Sequence, residues 1–254
     1  MPEKDRQLKI ITKVRENIGV SVSELAEKMD VTPNTIRRDL EKLEQEGIIK
    51  KIHGAAVLND LSYYDRPFKK REIEHKEEKN KIGKKAASLV NKGDTIIIDA
   101  GTTCLAVASY LKSKNDITVL SNSVAAITEL DQNKEITVIL SGGVLKGMTR
   151  SLIGPPAEKF FKLVEVDKLF LSAGAISLKK QDISNPNIPE NPVKQKMIAS
   201  AREVILVVDS YKIKAASFYP FASFEDIDKI IIDDNLDNEN MRLMDNLELE
   251  VVYV

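Results

Sequence analysis

The sequence predicts an α/β protein in two parts: an N-terminal winged helix-turn-helix domain and a C-terminal domain built on a mostly parallel sheet. Two observations predict this. Within residues 1–58, three capped helical segments precede a small β-ribbon. In the remainder, seven short apolar segments alternate with helical segments, which is typical of a parallel sheet covered on both faces.

Composition narrows the possible classes of protein. The 254 residues are 43% hydrophobic and 30% charged, and no apolar run is long enough to span a bilayer. We expect no secretion signal, because no charged-then-apolar segment stands at the N-terminus, and the single cysteine, Cys104, fits a reducing compartment. We therefore expect a cytoplasmic protein without a membrane partner.

The formal charge of −1 conceals an asymmetry between the two parts. Residues 1–92 hold 21 Lys and Arg against 16 Asp and Glu, whereas residues 93–254 hold 17 against 23. An anionic partner is therefore expected at the N-terminal part.

The first 58 residues contain the signals of three helices and a wing. Residues 4–18 show helical apolar spacing, and Ser21 with Glu24 form a capping-box pattern at the start of a second helix. A third helix follows Thr32 as N-cap and Pro33 at the first helical position, and Gly47 ends it. The segment "IIKKIHGAAVL" then predicts two strands that turn at residues 53 and 54.

The third helix is the predicted DNA-reading element. In a helix-turn-helix, the N-terminal residues of the second motif helix lie nearest the bases, and arginine suits bidentate contact with guanine or phosphate. Alternatively, Arg37 and Arg38 are an ordinary solvated surface offset by Asp39 and Glu41, and His53 serves only the turn. The capped setting and basic wing favour DNA. The predicted DNA-binding residues are Thr32, Asn34, Thr35, Arg37, Arg38, Lys50, Lys51 and His53.

Residues 59–75 lack periodicity and are dense in charge, which predicts a linker, and residues 76–254 form the predicted second domain. A helix is expected from Lys79 to Val90. The seven predicted strands are "TIIIDA", "ITVLS", "ITVIL", "KLFLSAG", "EVILVV", "KIIID" and "LEVVYV".

Five of these strands end in small or polar residues. Because ligands of open parallel sheets bind outside the carboxyl ends of the strands, this pattern favours a small polar ligand. Gly101-Thr102-Thr103 opens a helix whose unpaired amides could hold a phosphate. The alternative is that glycine and serine merely terminate the strands. No metal site or cofactor is predicted. The segment "GGVLKGMT" has the glycine spacing of a phosphate loop, but Met148 stands where the phosphate-binding lysine must be. The histidines and the cysteine do not have the spacing of zinc ligands.

The motifs "TIRRDL", "LEQEG" and "HGAA" resemble the N-terminal signature of the DeoR family of bacterial sugar-operon repressors, with Ala55 where members usually have a second glycine. "GDTIIIDAGTT", "TVLSNS", "ILSGG", "DKLFLSAGAI" and "KQKMIASAREVILVVDSYK" resemble its effector domain. The resemblance implies a fold similar to ribose-5-phosphate isomerase and a phosphorylated-sugar effector. The effector-binding residues that it implies are Asp99, Gly101, Thr102, Thr103, Ser121, Asn122, Ser123, Gly142, Gly143, Lys196, Asp209 and Lys212.

The chain departs from the family between Ala175 and Lys196, where we expect a turn at Asp182 and Asn185-Pro186 and where Glu190 is a further candidate ligand. The function that the resemblance implies is a repressor that binds double-stranded operator DNA as a homo-oligomer, a dimer or tetramer, and responds to a sugar phosphate. One alternative is a sugar-phosphate isomerase that uses Asp99, Asp209, Glu190 and Lys212; another is a C-terminal half that only oligomerises. We expect no catalytic residues.

Overall fold

A computed structural model describes residues 2–16, 20–45, 49–52, 55–58, 67–213 and 219–254. Gly47, the turn residues His53 and Gly54, and residues 59–66 of the expected linker lie outside the described residues. The chain divides into two compact units, Met1–Asp65 and Arg66–Val254. No helix in the described part of the chain is long and apolar enough to cross a membrane.

The first unit has the order expected of a winged helix-turn-helix. Its elements are α1 (Glu3–Glu16), β1 (Val20–Ser21), α2 (Val22–Met29), α3 (Pro33–Gln45), β2 (Ile49–Ile52) and β3 (Ala55–Leu58). The strands form an antiparallel sheet in the order β1-β3-β2. The Ser21 hydroxyl accepts the Glu24 amide at 3.2 Å and so caps α2, and Asp30, in the left-handed conformation at φ 52°, ends that helix.

One apolar core joins the three helices of the first unit to the wing. Ile36, Leu40 and Leu43 of α3 recur at helical spacing and are all buried. They share the interior with Leu25 of α2 and Ile49 of β2, which are also buried. The predicted inward stripe of the third helix is therefore confirmed.

The second unit contains the main sheet and its covering helices, together with shorter pieces. In chain order its elements are α4 (Phe68–Ile73), α5 (Lys76–Ser88), β4 (Thr95–Ile98), α6 (Thr102–Leu111), β5 (Ile117–Ser121), α7 (Val124–Leu130), β6 (Ile136–Leu140), β7 (Val144–Lys146), β8 (Ser151–Ile153), α8 (Pro155–Lys162), β9 (Val166–Leu171), β10 (Ala175–Ser177), β11 (Asp182–Ser184), α9 (Asn191–Ser200), β12 (Ala201–Val208), β13 (Pro220–Ser223), β14 (Lys229–Ile232), α10 (Asn238–Asp245) and β15 (Glu250–Tyr253).

The seven predicted strands form one parallel sheet in the order β15-β14-β12-β9-β4-β5-β6. Successive side chains of a strand enter opposite cores, as the two-residue period of a strand requires. Ile97 of β4 belongs to the core under α8, α9 and α10, whereas Ile96 and Ile98 belong to the core under α5, α6 and α7. The predicted mostly parallel α/β sheet is therefore confirmed.

The strand order contains one reversal. From β4 the chain adds β5 and β6 on one side, then returns to place β9, β12, β14 and β15 on the other side. The connections that leave β4 and β9 therefore diverge at the carboxyl ends of the two strands, the place where open α/β sheets bind ligands. We call this place the switch-point crevice.

The sequence did not indicate the small antiparallel sheets. β7 and β8 form a hairpin, and β10, β11 and β13 form a three-stranded sheet. The turn expected at Asp182 and Asn185-Pro186 lies at residues 178–181 instead, since Asp182 pairs with Ser177 within the hairpin β10–β11. Three-residue strands are too short to establish a period in the sequence, which explains the error.

Part of the expected linker is ordered within the second unit. Residues 68–73 form α4, and its first residue, Phe68, is buried, with its amide bonded to the Met148 carbonyl at 3.2 Å. A six-residue helix with basic residues at half of its positions has no apolar stripe that the sequence could reveal.

We predict that Gly83→Ala destabilises the second unit. A Cβ at this position would lie 2.6 Å from the Ala106 carbonyl carbon, where α5 packs on α6. Overpacking should lower the free energy of unfolding by about 1 kcal/mol or more despite the better helix propensity of alanine. Urea unfolding measures this, with Gly147→Ala as the control, because a Cβ there meets nothing within 4 Å. Equal effects of both substitutions would contradict the prediction.

Candidate functional site

The start of α3 presents the predicted DNA-reading side chains. The Thr32 hydroxyl accepts the Thr35 amide at 3.2 Å, so Thr32 caps the helix, and Asn34, Arg37 and Arg38 are exposed. Arg37 Nη1 donates to Asn34 Oδ1 at 2.8 Å. With Thr35, these three side chains form part of the lining of a cleft with a volume of about 720 Å³.

Asp39 does not offset the arginine pair. It is buried on the inner side of α3, where it accepts Arg6 Nε at 2.5 Å and Arg6 Nη2 at 3.1 Å. This ion pair ties α3 to α1 and leaves Arg37 and Arg38 on the exposed side of the helix.

The wing residues are described by backbone alone. Lys50 and Lys51 lie in β2, paired in register with Val57 and Ala56 of β3. Their side chains and the whole of His53 lie outside the described residues.

In the second unit, Asp99 lies at the switch-point crevice and is fully hydrogen-bonded. Its Oδ1 accepts the Ala100 amide at 2.7 Å. Its Oδ2 accepts the Ser172 amide at 2.9 Å, the Ser172 hydroxyl at 3.1 Å and the Lys194 ammonium. Lys194 also donates to the Ser172 carbonyl at 3.1 Å. The Asp99–Lys194 pair therefore joins the ends of β4 and β9 to α9.

Lys196, predicted from the sequence to face the ligand, lies on the other side of α9. It is exposed, whereas Lys194 is 2% exposed and occupies the crevice. Residues two positions apart in an α-helix are separated by about 200° around its axis. Only one of the two lysines can therefore point at the sheet. The structure therefore places Lys194, and not Lys196, at the strand ends.

The Gly101-Thr102-Thr103 segment begins α6 at the same crevice. A Cβ on Gly101 would lie 2.5 Å from Ser172 Oγ, so the close approach of these two strand ends requires glycine. Thr102 and Thr103 are buried, and the Thr103 hydroxyl accepts Lys212 Nζ at 3.4 Å.

Asp209 differs from Asp99 because it lacks hydrogen bonds. It follows β12 and is completely buried, yet neither carboxylate oxygen has a hydrogen-bond partner. Lys212 Nζ lies 3.7 Å from Asp209 Oδ2, beyond hydrogen-bond distance. Burial lowers the pKa of Lys212, although Asp209 opposes that shift.

Lys79 is a buried cation beside this pair that sequence analysis missed. It donates to the Glu74 carbonyl at 2.5 Å and to the Arg71 carbonyl, at the carboxyl end of α4. Burial, and then the charge of Lys212, lower its pKa to about 8. The only available signal was its position on the apolar side of a predicted helix.

The serines that follow β5 have structural partners. Ser121 Oγ donates to the Ile98 carbonyl at 2.5 Å and accepts the Ser123 amide at 2.9 Å. Ser123 Oγ caps α7 by accepting the Ala126 amide at 3.2 Å. Asn122 between them is buried, and its Oδ1 has no partner.

Gly142 and Gly143 let the chain leave β6 and enter the β7–β8 hairpin. Their φ angles are +71° and +116°, a region that favours glycine. A Cβ on Gly143 would lie 2.6 Å from the Ile153 carbonyl oxygen. The structure therefore accounts for both glycines by conformation.

Glu190 lies buried between the hairpin and α9. It accepts the Ser151 hydroxyl at 2.6 Å and Asn185 Nδ2 at 2.8 Å. Burial raises the pKa of the Glu190 carboxyl, but Lys194 and the hydrogen bonds outweigh it, and the pKa lies below its ordinary value. Glu190 is therefore an ionised anchor for residues 185–191.

Cys104 is a core residue. It is completely buried in α6, and burial raises the pKa of its thiol. A buried thiol with a raised pKa is unreactive.

We predict that Lys194→Met severely destabilises the protein. The substitution leaves the Asp99 carboxylate buried without its cation, which should lower the free energy of unfolding by about 3–5 kcal/mol. The matched control is Lys196→Met, two residues later on the exposed side of α9, which should change it by less than about 0.5 kcal/mol. Urea unfolding compares the two variants. A larger loss of stability in Lys196→Met than in Lys194→Met would contradict the placement of Lys194 in the crevice.

The lowered pKa of Lys79 predicts a pH dependence of stability. Between about pH 8 and the ordinary lysine pKa of 10.5, the folded protein binds fewer protons than the unfolded chain, so its stability rises with pH. From about pH 7.5 to about pH 9.5, the wild type should gain about 1 kcal/mol or more relative to Lys79→Met. If the unfolding free energies of the wild type and Lys79→Met differ by a constant amount across this pH range, the pKa of Lys79 is not lowered.

Comparison with known proteins identifies the family. Residues 6–61 match the DeoR-like helix-turn-helix domain, and residues 74–234 match the DeoR C terminal sensor domain. The chain is 36% identical over 250 residues to the uncharacterized HTH-type transcriptional regulator YulB of Bacillus subtilis, covering 98% of this chain and 96% of that protein. It is 32% identical to the HTH-type transcriptional repressor GlcR of the same organism, covering 94% and 91%.

Among solved structures, ribose 5-phosphate isomerase A of Methanocaldococcus jannaschii aligns over 56% of each chain with 17% identity and a TM-score of 0.42. The assignment rests on the two domain matches and on the full-length relatives. The chain belongs to the DeoR family of HTH-type transcriptional regulators.

Proposed function

We propose that this protein represses a sugar-catabolism operon and that a phosphorylated sugar bound in the C-terminal domain changes its affinity for operator DNA. The observation that carries the effector proposal is Asp209. A buried carboxylate with two unpaired oxygens costs free energy in the ligand-free protein, and sugar hydroxyls are donors that would pair it.

Charge beside Asp209 supports the phosphate part of the proposal. Lys212 lies next to Asp209 and reaches Thr103 in the first turn of α6. A lysine at a helix N-terminus supplies a cation and unpaired amides, which together suit a phosphate group. Asp99 would act as the scaffold of the crevice, because its hydrogen bonds are already made within the protein.

The DNA-binding proposal rests on the exposed start of α3. Arg37, Arg38 and Asn34 are available there, and the pairing of Asp39 with Arg6 leaves the arginines without that local counter-charge. Lys50, Lys51 and His53 are proposed to contact the DNA backbone. We propose domain limits of 1–58 and 76–254, with residues 59–75, whose helix α4 packs within the second unit, coupling ligand binding to DNA affinity.

We also propose that the protein is a homo-oligomer, since one winged helix reads too short a site for selective binding. The edge of the main sheet supports self-association. β6 has no charged residue, its Ile139 and Leu140 are exposed, and so are Val144 and Leu145 of the adjacent hairpin. Uncharged, exposed edge strands are usually covered in the assembled protein.

The test is binding of full-length protein to the DNA upstream of its own gene, measured by fluorescence anisotropy at one stated salt concentration. The panel contains ribose 5-phosphate, fructose 6-phosphate, glucose 6-phosphate and glycerol 3-phosphate, each beside its unphosphorylated counterpart. We expect one phosphorylated compound to weaken binding by roughly 5–150-fold. Arg37→Ala should lose roughly 5–150-fold in operator affinity, whereas Lys9→Ala, an exposed cation on α1, should lose little.

Other results would separate the alternatives. Specific DNA binding that no panel member changes would refute the effector proposal and leave the DNA proposal standing. Conversion of ribose 5-phosphate to a ketose would favour an isomerase. A monomer in sedimentation equilibrium of the DNA complex would contradict the homo-oligomer.

A further inference from the structure

Asn191 is a buried amide without partners. It is 3% exposed, and neither its Nδ2 nor its Oδ1 makes a hydrogen bond. Asn185, in the same segment, shows the usual situation of a buried amide. Its Nδ2 donates to Glu190 Oε2 at 2.8 Å, and its Oδ1 accepts the Asn187 amide at 3.4 Å.

The position of Asn191 is fixed from both sides. It begins α9 three residues before Lys194, so the two side chains share the helix face that meets the ends of β4 and β9. On its other side, Glu190 is held by Ser151 of the β7–β8 hairpin. Asn191 therefore lies on the same side of α9 as Lys194, which reaches the switch-point crevice through its pair with Asp99.

Other unpaired atoms occur near these strand ends. Asp209 has two unpaired acceptor oxygens, Asn122 Oδ1 is an unpaired acceptor, and Asn187 Nδ2 is an unpaired donor. A folded protein loses free energy for each buried polar group that stays unpaired, so such a group close to a binding crevice indicates a missing partner.

The chemistry of these atoms selects the kind of partner. An amide offers both donors and an acceptor, and a hydroxyl group is complementary to both. A second anionic group is unsuitable there, because the carboxylate of the adjacent Glu190 is buried. The part of a ligand near Asn191 should therefore be a neutral, hydroxyl-bearing chain.

We propose that Asn191 is a specificity-determining residue that hydrogen-bonds the sugar hydroxyls of the effector. This inference rests on the proposed function, and it assigns the hydroxyl-bearing part of the ligand to α9 and the phosphate to the side of Lys212 and Thr103. Asn191 then distinguishes among phosphorylated compounds by their hydroxyl groups and contributes nothing to phosphate affinity itself.

The test compares full-length wild type with Asn191→Ala by isothermal titration calorimetry. The probes are inorganic phosphate, glycerol 3-phosphate, ribose 5-phosphate and fructose 6-phosphate. For the sugar phosphate that the wild type binds most tightly, Asn191→Ala should lose roughly 10–100-fold in affinity, because ligand hydroxyls lose their partners. The affinity for inorganic phosphate should change less than about 2-fold.

Asn185→Ala is the matched control, because the same substitution there removes an amide that has partners. It should lower the melting temperature of the ligand-free protein, since Glu190 loses a hydrogen bond. Asn191→Ala should leave the ligand-free melting temperature unchanged or raise it, because no protein hydrogen bond is lost.

Two results would overturn the inference while the proposed function stands: equal loss of affinity for inorganic phosphate and the sugar phosphate, or a ligand-free Asn191→Ala destabilised as much as Asn185→Ala. The second result would mean that buried water or the fold itself uses the amide. If the wild type binds none of the sugar phosphates, the proposed effector fails and the inference fails with it. Calorimetry on the wild type alone separates this case from the other two.

Discussion

The buried ion pair between Asp99 and Lys194 organises the second unit. A buried charge without its partner destabilises a fold by several kcal/mol, so the end of β4 and the first half of α9 must come together. Ser172 joins the same network from the end of β9, and Gly101 allows its close approach. These groups hold the ends of β4 and β9 against α9 at the strand reversal.

Polar groups at the carboxyl end of the sheet fall into two sets. Asp99, Ser121, Ser123 and Glu190 have their hydrogen bonds within the protein and hold the backbone in place. Asp209 has none, and one side-chain oxygen of Asn122 also lacks a partner. Because both sets are buried, burial alone does not distinguish a scaffold group from a ligand-binding group. We therefore base the proposed ligand contacts on the unpaired atoms.

The buried cations connect this crevice with the segment that precedes the sheet. Lys212 influences the pKa of Lys79, and Lys79 binds the last carbonyls of α4. His75, in the left-handed conformation before α5, stacks on Tyr211 next to Lys212 at a ring-centroid distance of 3.5 Å. Lys212 is thus linked to α4 by its charge interaction with Lys79 and by the hydrogen bonds that Lys79 donates.

The sequence by itself determined the two-part architecture, the helices of the first unit and all seven strands of the main sheet. These elements have strong local causes: caps at Ser21 and Thr32, a helical stripe at Ile36 and Leu40, and apolar segments that suit strands buried on both faces. Five strand ends were also found from sequence, because five of the seven apolar segments stop at a small or polar residue. The position of the crevice followed from the parallel sheet.

Only the tertiary structure decided which polar side chains at that crevice are already paired. Lys194 and Lys196 are equivalent in sequence, and the rotation of α9 against the sheet, set by packing of Val193 and Met197, buried one and exposed the other. Residues 175–191 carried no period that could place Asn191 beside the strand ends. The partners of Asp39, Asp99 and Asn185 come from distant or irregular segments, and local sequence contains no information on such contacts.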